Sequence, residues 1–156
     1  MNHPTSTNPA EEAIDFAEIG RTCLCLHARM TARALTRHYN QELASSGLEV
    51  TEFSLLGSLS LELDDSITNM ARRLAFERST LVRSLKRLER RGLISTSSTG
   101  GRAVRFALTT AGLMALQQAQ PLWLLAQLKV KDQLPDNAEP TLMILDTLRR
   151  ATPSPM

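Results

Sequence analysis

Apolar positions along this chain recur mostly with the period of a helix, and a single stretch alternates as a strand does. Between Glu11 and Ser45 one long helical pattern is expected to become regular near Ala17 to Cys23. Leu24, Ala28, Thr31, Leu35 and Tyr39 share one of its faces, with Cys25 and Ala32 beside it. Thr51 to Ser60 reads as a short helix, Asp64–Asp65 as a turn, and Ser66–Ile67 as a minimal strand. Thr68 is placed to cap a helix running through Leu74. In the next helix Leu81, Val82, Leu85 and Leu88 form an apolar stripe, and Ser79, Arg83, Lys86, Arg87 and Arg90 fall roughly opposite. Gly92, just after Arg90–Arg91, is a good helix stop.

Beyond that stop the period changes from helix to strand. Leu93 and Ile94 open a strand, Ser95 to Thr99 are polar, and Gly100–Gly101 supply a turn that accepts positive φ. Val104, Phe106 and Leu108 then alternate with Arg102, Arg105 and Ala107, giving a hairpin with one apolar face. Thr110 to about Val130 reads as a long helix interrupted by Pro121, which must kink it or remove a hydrogen bond. Pro135 and Pro140 bound a short connection, and Thr141 to Arg150 forms the last helix.

Charge sharpens this outline. From Ala71 to Arg105 the basic residues are Arg72, Arg73, Arg78, Arg83, Lys86, Arg87, Arg90, Arg91, Arg102 and Arg105, and the acidic ones are Glu77 and Glu89. Ten against two leaves an excess of eight positive charges in a chain whose total is +2. The remainder is acidic, so one face is expected to meet a polyanion. The stripe on the second helix can enter a DNA major groove, where Arg makes paired bonds to guanine. Arg102, beside the hairpin tip, can reach a minor groove. The plainer alternative is a solvated amphipathic helix followed by a surface hairpin whose arginines keep it soluble.

These residues resemble the MarR family of bacterial transcription regulators. RSTLVRSLKRLERRGLI, Arg78 to Ile94, is similar to that family's recognition helix and the first strand of its wing. RAVRFALTTAG, Arg102 to Gly112, is similar to the return strand and the start of the next helix. GLEVTEFSLLGSL, Gly47 to Leu59, resembles the helix that opens the DNA-binding domain, and PLWLLAQ, Pro121 to Gln127, part of a long dimer helix. The resemblance spans roughly residues 20 to 150. It implies a mainly α fold: a winged helix-turn-helix with a small β-hairpin wing and N- and C-terminal dimerisation helices. The family's wing usually carries an Asp two residues before an Arg; here Gly100 takes the Asp position and Arg102 is kept.

The domain organisation expected is a disordered tail (1–10), an N-terminal dimerisation helix region (11–50), a winged-helix DNA-binding domain (51–109), C-terminal dimerisation helices (110–150) and a loose tail (151–156). Leu122, Trp123, Leu125 and Leu128, with Leu142, Met143, Leu145 and Leu148, present more apolar surface than a small wing domain can cover. A symmetric homodimer with interleaved ends is the economical solution, and the resemblance implies the same. It would place two recognition helices on half-sites about one helical turn apart.

The cysteines sit together in TCLCLHARM. If both lie on one helix, Cys23 and Cys25 point about 200° apart and suit neither a shared metal nor a disulfide. Cys23 and His27 would share a face and supply half of a zinc site. No further cysteine exists in the chain, and His3 and His38 are badly placed, so a metal site would need ligands from a second chain or from carboxylates, and no metal or other cofactor is expected. Registering Tyr39 and Phe53 on the organic-hydroperoxide-sensing branch of the family puts Cys25 at the reactive cysteine. Tyr39 then matches one of the two tyrosines that bond its thiolate, and Val50 stands where the second would be. Arg21 and Arg29 lie within a turn of Cys25. The alternative is that Cys23 and Cys25 are small hydrophobes at the dimer interface.

Function classes narrow accordingly. There is no Gly-rich phosphate loop, HExxH or nucleophile elbow, so no enzyme is expected. No apolar run is long enough for a membrane span and no signal peptide is visible, which fits a cytoplasmic protein. The leading expectation is a homodimeric regulator of transcription on double-stranded DNA, with Ser79, Thr80, Arg83 and Arg87 reading bases. Lys86, Arg90 and Arg72 would meet phosphates and Arg102 the minor groove. The resemblance implies an aromatic or phenolic effector in a cleft for which His27, Arg29, Met30 and Phe53 are candidate liners; thiol oxidation is the other signal. The alternatives are a winged helix that binds protein, and a redox protein working through Cys25.

Overall fold

The computed structural model describes residues 15–61, 63, 66–98, 104–134 and 138–151. The chain divides into two compact units between Leu35 and Thr36. In the first, α1 spans Phe16–Thr22 and α2 begins at Leu24, continuing to Leu43 in the second. The single long pattern expected between Glu11 and Ser45 is therefore two helices. Asp15 caps α1 by accepting from the backbone N–H groups of Ala17 (2.9 Å) and Glu18 (3.1 Å). Cys23 is extended (φ −71°, ψ 103°) and joins the two. Its N–H closes α1 on the Ile19 carbonyl, and its own carbonyl accepts from His27 to open α2. The Cys23 Sγ also accepts from the Leu26 N–H at 3.4 Å, as an N-cap side chain does.

In the second unit α2 ends in a 3-10 turn, Ala44–Ser46, and Gly47 takes the left-handed φ of +70°. Then come α3 (Val50–Ser60), α4 (Ile67–Arg73) and α5 (Arg78–Arg90). Ser66, expected in a strand, caps α4 instead, its hydroxyl accepting from Asn69 N–H at 3.2 Å; Thr68 lies inside the helix. Asp64–Asp65 lie outside the described residues. Strands β1 (Ile94–Ser98) and β2 (Val104–Leu108) pair antiparallel, with Ile94 opposite Leu108 and Thr96 opposite Phe106. Phe106 and Leu108 turn toward the core, but Val104 is 48% exposed, so the apolar face fades toward the tip.

Helix α6 (Thr110–Lys131) passes through Pro121 without ending. Proline has no N–H, so the Gln117 carbonyl loses its helical donor there. Helix α7 is Glu139–Ala151; Pro140, expected in the connection, sits in its first turn, where a missing N–H does no harm. Leu43, Leu55, Leu56, Leu81, Leu85 and Leu88 are all fully buried. Phe53 and Trp123 pack against this core and stack on each other (5.8 Å between rings, 15° between planes). Three polar links tie α2 to α6: His38 Nε2 with the Ala126 carbonyl (3.1 Å), Tyr39 donating to Gln127 Oε1, and Lys129 with Glu42 (2.6 Å).

One junction holds the wing to both neighbouring helices. The Leu93 carbonyl, just past α5, accepts from Thr109 N–H at 3.1 Å. The Thr109 hydroxyl donates to the Gly92 carbonyl (2.6 Å) and accepts from Gly112 N–H (3.0 Å), capping α6. A Cβ on Gly112 would lie 1.9 Å from the Leu93 oxygen, which is backbone and cannot turn aside. Gly112→Ala is expected to destabilise the protein by at least about 1–3 kcal/mol through overpacking. A lowered urea midpoint checks this; an unchanged midpoint would show that the junction can open without loss.

Candidate nucleic-acid interface

Helices α4 and α5 meet through a tight turn. The Phe76 N–H donates to the Ala71 carbonyl at 2.8 Å, and Ala75 takes φ +54°, left-handed for a residue with a Cβ. A conformation of that kind costs roughly 1–2 kcal/mol in an L-residue, so the surrounding packing enforces it. The turn lets Met70 and Ala71 of α4 face the same core as Leu81, Leu85 and Leu88 of α5. With those three leucines at zero exposure, the opposite face of α5 is committed to solvent.

Ser79, Thr80, Arg83, Lys86, Arg87 and Arg90 are all exposed, on the side the sequence pattern assigns them. Among the described residues, the side chains of Arg83, Lys86 and Arg90 form no hydrogen bond or ion pair. Arg72 donates to Asn69 Oδ1 on its own helix (3.2 Å). Arg87 differs from the rest of the stripe. Its Nε lies 3.2 Å from Glu52 Oε1 and its Nη2 3.4 Å from Glu49 Oε2, so α3 holds its guanidinium. Arg102 and Gly100 lie outside the described residues.

Two contributors were not assigned a role from sequence. Glu52, in the first turn of α3, is 3% exposed and receives Arg91 as well as Arg87. The visible sign is a carboxylate inside the apolar run VTEFSLL, three residues after Glu49, whose N–H it accepts at 3.1 Å. Glu89 likewise accepts from the Thr96 hydroxyl and ties α5 to β1.

The candidate signal residues are placed as follows. Cys25 is exposed and Cys23 half-buried; both are free thiols. Cys23 stands outside the helix, so the two cysteines do not lie on one helix. His27 Nε2 meets the Gly20 carbonyl at 3.1 Å. Among the described residues no group of three His, Cys, Asp or Glu could hold a metal ion. Tyr39 belongs to the other unit, and its hydroxyl is taken by Gln127. Burial holds its pKa above the usual tyrosine value. His27, Arg29 and Met30 lie in the first unit and Phe53 in the second. A cavity of about 540 Å³ opens between α4, β2 and the start of α6, lined by Ile67, Met70, Phe106, Leu108 and Leu113 among others; none of those four candidate liners borders it.

Residues 46–103 match the MarR family model. The transcriptional regulator MosR of M. tuberculosis is 34% identical, over 83% of this chain and 96% of that one, with a TM-score of 0.75. The chain belongs to the MarR family of transcription regulators. MosR in complex with DNA aligns with a TM-score of 0.77 at 35% identity, over 83% of this chain and 95% of that one. CouR from Rhodococcus jostii RHA1, solved bound to p-coumaroyl-CoA, shares the fold: 22% identity, 88% of this chain, 97% of that one, TM-score 0.66. No curated protein matches the chain. Helices α4 and α5 and strand β1 of this MarR-family protein lie within the matched residues 46–103.

The structure also makes a local prediction at the helix junction. Cys23→Ala removes the acceptor of the Leu26 N–H and should cost α2 about 0.5–2 kcal/mol at its start, whereas Cys23→Ser should preserve the cap. Faster amide exchange at Leu26 in the alanine variant alone checks it.

Proposed function

We propose that the protein is a homodimeric, sequence-specific repressor that binds a near-palindromic operator through α5 and is released by a small aromatic ligand or by thiol oxidation. The observation that carries the DNA reading is the occurrence on one helix of three fully buried leucines and, on its other side, the exposed cations Arg83, Lys86 and Arg90. The leucines fix which way Arg83, Lys86 and Arg90 face. Ser79, Thr80 and Arg83, toward the helix start, would read base edges. Lys86, Arg90 and Arg72 would meet phosphates, and Arg102 the minor groove. Arg87 would reach a base only by leaving Glu49 and Glu52.

Exposed apolar side chains support the dimer. Leu24 and Met30 in one unit, and Leu142, Met143, Ile144 and Leu145 in the other, are each at least 46% exposed. Large patches of this kind mark interaction surfaces. The exposed Cys25 favours a thiol signal, and the ligand in CouR illustrates an aromatic one. An effector lowers DNA affinity only by favouring a spacing of the two DNA-binding halves that does not fit the operator.

Fluorescence anisotropy on DNA from upstream of the protein's own gene tests the reading. Arg83→Ala is expected to cost about 1–3 kcal/mol on the operator and relax specificity, while Lys86→Ala should weaken all sequences alike and reduce the salt slope by about 1. If Arg83→Ala leaves both affinities unchanged, the base-reading assignment is wrong. Organic hydroperoxide should release wild type but not Cys25→Ser if the thiol is the signal. Release by phenolic acids, with indifference to oxidant, would assign the signal to a ligand.

A further inference from the structure

Arg91 carries a formal positive charge in the most basic part of the chain, yet both its terminal nitrogens donate to protein acceptors. Its Nη1 lies 2.9 Å from both oxygens of Glu52, and its Nη2 donates to the Gly47 carbonyl at 2.9 Å. Glu52 is 3% exposed and is held as well by Arg87 Nε and by the Glu49 N–H. A buried carboxylate needs such partners, because an unpaired charge there is strongly unfavourable. The pairing also cancels the charge that Arg91 would otherwise offer a phosphate.

The placement of this cluster gives it leverage. Arg91 is the residue that ends α5, and Glu52 lies in the first turn of α3. The cluster therefore fixes the far end of α5 against a second helix, while Ser79, Thr80 and Arg83 sit near the other end. Twelve residues of helix separate Ser79 from Arg91, roughly 18 Å. A tilt of only about 5° over that arm moves Ser79 by about 1.5 Å, more than a hydrogen bond tolerates. Phosphate contacts, made by long flexible cations, are far less sensitive to such a shift.

We infer that Arg91 and Glu52 are positioning residues for base reading: they set the angle of α5 and so sequence discrimination, without touching DNA. Arg87 is the more weakly held member of the cluster: it shares its guanidinium between Glu52 at 3.2 Å and the exposed Glu49 at 3.4 Å. Arg91 is anchored by a buried carboxylate and a backbone carbonyl together, and stays.

The inference rests on the DNA-binding reading above, and the experiment separates the two. The full-length protein, as wild type, Arg91→Lys, Arg91→Ala and Glu52→Gln, is titrated by anisotropy on its upstream DNA and on unrelated DNA of equal length, across a salt series. The ratio of the two affinities cancels any loss of folded protein. Arg91→Lys keeps the charge and loses the two-acceptor geometry, so it is read even if Arg91→Ala or Glu52→Gln folds poorly. A positioning role predicts that the specificity ratio falls at least about tenfold in Arg91→Lys while the salt slope on unrelated DNA stays at the wild-type value. An unchanged ratio in Arg91→Lys would overturn it. So would a salt slope that falls by about 1 in Arg91→Ala with Arg91→Lys behaving as wild type, the signature of a phosphate contact. Wild type that fails to discriminate the two DNAs would sink the DNA-binding reading itself, and this inference with it.

Discussion

The burial of Leu81, Leu85 and Leu88 is the constraint on which the rest of this molecule depends. Three leucines on one helical stripe can reach zero exposure only if α5 lies flat on the core, and lying flat leaves its other side to water. The hydrophobic effect has no preferred direction. Here it acquires one from sequence spacing alone, and cations at intervening positions are carried outward with it. The left-handed Ala75 is a local cost of getting α4 and α5 onto the same core within so few residues.

Hydrogen bonds then fix what burial leaves free. An apolar stripe settles which way a helix faces but only loosely its tilt, because leucines can slide against one another. The directional contacts stand at the helix ends: Glu52 with Arg91, Glu89 with Thr96, and the Thr109 hydroxyl between Gly92 and Gly112. The last of these leaves no space for a side chain at Gly112. Side-chain packing and backbone closure therefore act at different places on the same helix.

Much of this was legible in the sequence, for a physical reason. The leucine stripe of α5, the glycine stop at Gly92 and the alternation of Phe106 and Leu108 are periodic or local signals, and they survive folding unchanged. What escaped depends on residues far apart in the chain. Arg87 looks like a member of the cationic stripe, and Arg91 like one more charge of the basic segment, until Glu52, thirty-five or more positions earlier, takes them. The break at Cys23 escaped for the opposite reason: helical periodicity continues on both sides of it, and one extended residue hardly disturbs a pattern read over four turns. Ser66 displaced Thr68 as the cap because either hydroxyl suits that role, and only the backbone angle chooses between them.

Helix α7 buries none of its residues, and Leu142, Met143, Ile144 and Leu145 stand at 46% exposure or more. A surface of this sort links folding to mass action. Whatever covers it binds the native chain and not the unfolded one, so the free energy of that contact adds to the free energy of folding and varies with the logarithm of concentration. Each tenfold dilution then removes about 1.4 kcal/mol of it. In the proposed homodimer the resistance of this chain to unfolding is, to that extent, a property of its population and not of the single molecule.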